Sequence, residues 1–85
     1  MKPDRLLARI TRGDVGNVGF GDLVHLLEAL GFRQVGGRGS HRVFTHPAVV
    51  ELVNLQDDTG QAKMYQVRQV AGLIRRYDLR VEGRP

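Results

Sequence analysis

The chain contains no cysteine. Its absence excludes disulfides, thiolate nucleophiles and cysteine-based zinc or iron–sulfur sites, and leaves packing to stabilise the fold. No apolar run approaches the roughly 18–20 residues of a membrane span, and Met1 to Gly13 lacks the uninterrupted apolar core of a secretory signal. A soluble cytoplasmic protein with no membrane partner is expected. Glycine is plentiful, yet the G-x-x-x-x-G-K-[ST] spacing of a nucleotide phosphate loop is missing, which argues against nucleoside triphosphate binding. Acidic residues are missing locally: none lies between Ala29 and Val50, and none between Lys63 and Arg76.

What is present fits one small domain. The 85 residues are 41% hydrophobic and carry 13 Lys+Arg against 9 Asp+Glu, a net charge of +4. A chain of this size buries roughly 60–65% of its unfolded surface, enough for a two-layer core but not for a deep cavity. A surface site for an extended ligand is therefore expected. The positive balance favours a polyanion, more through its distribution than its size. If the two acid-free stretches, Arg33 to Arg42 and Lys63 to Arg76, shared a face, they would form a phosphate-tracking patch.

Leu6, Leu7 and Ile10 predict a short accessory helix over Asp4–Thr11, followed by a glycine-rich loop over Gly13–Gly21. Leu23, Leu26, Leu27 and Leu30 follow the i, i+3, i+4, i+7 pattern of an amphipathic helix that stops at Gly31. Phe32–Gly36, His41–His46 and Val50–Leu55 read as a three-stranded antiparallel meander. Asp57-Asp58-Thr59-Gly60 is a turn signal. Val67, Val70, Ala71, Ile74 and Tyr77 then repeat at helical spacing from Met64 to Tyr77. The order helix, three strands, helix predicts an α+β domain whose sheet buries one face under the helices and leaves the other open. Residues 1–19 form an N-terminal extension, 20–79 the domain and 80–85 a fraying tail.

Strand alternation assigns directions in the segment Gly39-Ser40-His41-Arg42-Val43-Phe44. If Phe44 points into the core, His41 points to the open face. An imidazole titrates near ~6.5 and can accept or donate a proton at neutral pH, which suits general acid/base cleavage of a phosphodiester. A hairpin histidine bonding its local backbone is the bland alternative. Arg38, Arg42, Lys63 and Arg68 are candidate phosphate contacts, with Gly39 and Ser40 at the turn. Tyr65 could stack on a base or pack beneath the helix start. His25 reads as solvated. His41 and His46 fall on opposite faces of a regular strand with no carboxylate between them, which disfavours a metal site.

Several of these segments together resemble the HicA-type mRNA interferases, the toxin halves of type II toxin–antitoxin modules. The resemblance runs from about Phe20 to Leu79. Its parts are the helix ending in Leu30-Gly31-Phe32, the Gly39-Ser40-His41-x-x-Phe44 motif, Asn54-Leu55-Gln56, and Ala62-Lys63-x-Tyr65-Gln66-Val67-Arg68-Gln69 leading into a final helix. It implies a fold similar to the double-stranded-RNA-binding domain, with a three-stranded antiparallel sheet on two helices. It also implies that His41 is the catalytic histidine, that mRNA is cleaved with no metal or other cofactor, and that a HicB-type antitoxin covers part of the active surface. Relatives often carry proline where this chain has Met64, and the extension 1–19 is additional. The alternatives from other classes are a non-catalytic RNA-binding module and a protein-interaction domain using the basic face. Nothing in the pattern fixes an oligomeric state.

Overall fold

The computed structural model describes residues 1–82, so the tail expected to fray lies in part, at 83–85, outside the described residues. Three helices flank one sheet in the order α1 (Pro3–Thr11), α2 (Phe20–Ala29), β1 (Arg33–Gly36), β2 (His41–His46), β3 (Val49–Asp58), β4 (Gln61–Ala62) and α3 (Met64–Tyr77). Proline in the first turn suits the start of α1, where its fixed φ and missing N–H cost nothing. A nine-residue helix is marginal alone. Tertiary packing holds it, because Leu6 and Ile10 are buried in the common core. The short extra N-terminal helix is thus present as expected, and its buried face joins the common core.

Helix α2 buries Leu23, Leu26 and Leu27 as their spacing predicts. It ends in a Schellman motif, with Phe32 N–H donating to Leu27 O at 2.9 Å and Gly31 N–H donating to Glu28 O at 3.0 Å. The left-handed φ of +100° at residue 31 explains the glycine. Helix α3 occupies the expected span and buries Val67, Val70, Ala71, Leu73 and Ile74.

The strands form one antiparallel sheet in the order β1-β2-β3-β4. The α+β fold with an open sheet face is as expected, with four strands rather than three. Strand β3 runs past Leu55 to Asp58, and the turn at Thr59-Gly60 folds Gln61 and Ala62 back beside Asp58 and Asp57. Asp57 Oδ1 accepts the Gly60 N–H at 2.7 Å and closes that turn. The loop before α2 is stitched to the same corner, with Ala62 N–H donating to Val18 O at 2.8 Å and Phe20 N–H to Gly60 O at 2.9 Å. Phe44, Val53 and Leu55 pack toward the helices, while Val50 and Leu52, on the other face of β3, stand 90% and 51% exposed.

Candidate functional site

The hairpin joining β1 to β2 is shaped by one close approach. Gly37 has φ +129°, and a Cβ there would stand 2.3 Å from the His41 carbonyl oxygen and 2.8 Å from Arg42 Cα. Only glycine lets the end of β1 lie against the start of β2. Within the turn, His41 N–H donates to Arg38 O at 2.9 Å. The register shift between Gln34 and Gly36 puts the extra residue of this hairpin on β1, and a second shift, between Phe44 and His46, lies beyond the segment that carries His41. From His41 to Phe44, β2 pairs evenly with Gln56, Leu55, Asn54 and Val53. Alternation therefore holds where it matters: Phe44 is fully buried, and His41 lies with Val43, Asn54 and Gln56 on the open face.

Arg38, Gly39, Ser40 and His41 are exposed together at the hairpin tip. Among the described residues, the His41 ring has no hydrogen-bond or ion-pair partner. Arg42 leaves β2 on the opposite side, where its guanidinium lies 5.5 Å from the centroid of the Phe20 ring at the start of α2. A cation over an aromatic face is attracted to the ring's quadrupole. The same alternation that exposes His41 thus turns Arg42 toward the helices.

The start of α3 is tied to the strand opposite His41. Gln66, a buried polar residue at 6% exposure, accepts the Gln56 N–H on its Oε1 at 2.9 Å and donates from Nε2 to the Tyr65 hydroxyl at 3.4 Å. Gln56 is the cross-strand partner of His41. One buried amide therefore links the exposed Tyr65 to the histidine's own strand pair. Lys63 sits half-buried at the N-cap of α3, and Arg68 is exposed one turn further on, its guanidinium 3.3 Å from Met64 Sδ. Met64 is the first helical residue, a position at which proline is also well accommodated. The helix begins there without it. Gln56 and Gln66 were present in the motif segments but carried no periodicity or charge to single them out.

The acid-free character seen along the sequence does not survive in space. Asp57 N–H donates to Ser40 O at 2.8 Å, so the acidic turn lies beside the hairpin tip. Antiparallel pairing brings the end of β3 to the start of β2, which linear charge patterning could not register. The Asp57 carboxylate is engaged by the Gly60 N–H, and Asp58 is exposed.

The second histidine of β2 is the opposite of the first. His46 Nε2–H donates to Leu30 O at 2.9 Å, Nδ1 accepts the Ala48 N–H at 3.0 Å, and the ring meets Phe32 edge-on at 4.9 Å. Both nitrogens are spent on the fold, and five residues of strand put it roughly 16 Å from His41. Nearby, Glu51 receives the Tyr77 hydroxyl at 2.6 Å and pairs with Arg76. These lower its carboxyl below the usual value, the Tyr77 hydrogen bond contributing most. Among the described residues no group of three or more His, Asp or Glu side chains is arranged to hold a metal ion. No helix there is long and apolar enough to cross a membrane.

Residues 20–76 match the family described as HicA toxin of bacterial toxin-antitoxin. Nothing matches the chain among curated proteins or among solved structures.

Proposed function

The chain belongs to the HicA toxin family, its match covering more than half of the sequence, and on that premise we propose that it is a cytoplasmic endoribonuclease acting on mRNA. The observation that carries this reading is His41, an exposed, unbonded imidazole on an arginine-bearing hairpin, whereas the histidine at the far end of the same strand is wholly engaged in structure. RNA lies across the open sheet face, with Arg38 and Lys63 holding phosphate and the Ser40 hydroxyl and Gly39 backbone at the turn close to it. Arg42, on the helix side, supplies longer-range charge. Cleavage is transfer of the phosphorus from the 5′-oxygen of the next nucleotide to the ribose 2′-oxygen. The 2′-OH loses its proton to a base, the new P–O bond forms, and the departing 5′-oxygen takes up a proton. This leaves a 2′,3′-cyclic phosphate and a 5′-hydroxyl. His41 performs one of these proton transfers as general acid/base. Tyr65, oriented by Gln66, and Lys63 are the neighbouring groups able to assist the other.

Neither transfer calls for a metal. Activity on a labelled transcript should persist in EDTA and yield cyclic-phosphate ends, and loss of activity restored by added magnesium would refute the proposal. As the toxin component, the chain is paired with an antitoxin of HicB type, which would cover the hairpin tip and the exposed Val50 and Leu52. Adding that partner should stop cleavage. Retention of RNA by the basic face without new fragments would instead assign a binding module.

A further inference from the structure

Where α1 crosses α3 the surface opens into a groove of about 240 Å³, lined by Ile10, Gly13, Val15, Arg68, Ala71 and Arg75. Ile10, Val15 and Ala71 form a buried floor, and the two exposed arginines form its rim. One wall, from α1 and the loop after it, precedes residue 20, where the family match begins. This groove is therefore not built by the matched domain alone.

Three observations indicate what it takes. Arg68 and Arg75 have no carboxylate partner among the described residues, and the acid adjoining the groove, Asp14, is occupied by Arg9 at 3.1 Å. Helix α3 carries no acid along its length, and its solvent side runs from Tyr65, next to the candidate active site, through Arg68 and Gly72 to Arg75. Positions three and four apart on a helix are neighbours, so Gly72 lies between the two arginines. Glycine is a poor helix former, and a Cβ at residue 72 would meet nothing within 4 Å. Packing inside the fold does not demand it. A bare backbone between two guanidinium groups leaves room for an extended chain to lie close.

We propose that the α1–α3 groove is a second phosphate subsite, which grips single-stranded RNA that leaves the open face at His41, rounds the end of the sheet at Tyr65 and follows α3 past Gly72. The proposal rests on the RNA reading above and deepens it. Arg68 and Arg75 are separated by roughly 10 Å of helix rise, and each can bond a phosphate bidentately. The uncleaved part of the strand would thus be held several nucleotides from the reaction, by residues that take no part in it.

The test uses 2′-O-methyl oligouridines, which cannot undergo 2′-OH attack, of about four and about twelve nucleotides, one at the lower end of single-strand site sizes and one well within them. Their binding is followed by fluorescence anisotropy over a range of salt. Wild type should hold the longer strand more tightly. Arg75→Gln should weaken it about three- to tenfold and reduce its log–log salt slope by about 0.7, the share of one phosphate, with the short strand unaffected. Gly72→Glu, which adds a carboxylate at a position where a Cβ meets nothing within 4 Å, should do the same, and circular dichroism checks that both variants fold. Unchanged affinity and slope for the longer strand in both variants would overturn the groove while leaving the RNA reading intact. If the variants lose only antitoxin binding, the groove is overturned as an RNA subsite and belongs to a protein partner. Failure of wild type to bind either strand would remove the RNA reading itself and the subsite with it.

Discussion

His41 and His46 open and close the same strand and live under opposite conditions. At one end the backbone is gathered by glycine, and the ring projects from an open face with no bonded partner among the described residues. At the other, both ring nitrogens are bonded, an aromatic edge packs on the ring, and the nearby Glu51 carboxylate is paired. The difference teaches how a small sheet divides its work. One end completes the bonding of a helix terminus and a turn, and the other leaves its side chains available to a ligand.

The comparison can be broken most severely at Gly37. Any Cβ there collides with backbone rather than with a flexible side-chain tip, so Gly37→Ala should cost about 3 kcal/mol of stability through forced displacement at a left-handed position. It should also displace His41, lowering cleavage even where the variant stays folded, and chemical denaturation beside an activity assay checks both. His46→Ala comes next. It leaves Leu30 O and Ala48 N–H without partners and opens space beside Phe32, so unfolding free energy should fall by about 2 kcal/mol, with activity retained by the folded fraction.

Gln66→Leu should cost about 1–2 kcal/mol, because the part-buried Gln56 N–H loses its acceptor. If the amide also holds Tyr65 for catalysis, kcat should drop beyond what the folded fraction explains, whereas a purely structural Gln66 would leave kcat per folded molecule unchanged. The smallest effect is at Glu51. Its folded carboxyl titrates below its usual value of 4.5, first through the Tyr77 hydroxyl and also through Arg76. A depressed carboxylate contributes stability above its unfolded pKa and loses it as pH falls through the folded one. Wild type should therefore exceed Glu51→Gln in melting temperature near neutrality, and the gap should close as the pH drops below about 4.5.

Much of this was legible in the sequence where periodicity carries the signal. The leucine stripe of α2, the span Met64–Tyr77 and the inward Phe44 all follow from burying one face of a regular element. Alternation over His41–Phe44 was legible too, because the strand is unbroken there. Strand β4 was not, since two residues have no period. Its pairing depends on a turn closed by Asp57 and on a loop whose Val15 and Val18 are buried. The proximity of Asp57 to Ser40 and the amide bridge from Gln66 to Gln56 arise from tertiary pairing, which one-dimensional charge counts do not contain. Arg42 shows the converse: alternation already implied that it and His41 diverge, although both belong to one acid-free stretch.

The most direct measurement is the decay of a labelled transcript with purified wild type, His41→Ala and His46→Ala, each confirmed folded by circular dichroism and melting. His41→Ala should slow cleavage by ~10²–10⁴-fold, the usual contribution of a general acid/base, with a melting temperature like that of wild type. His46→Ala should melt earlier yet cleave at the wild-type rate per folded molecule. Equal cleavage by wild type and His41→Ala would contradict the account.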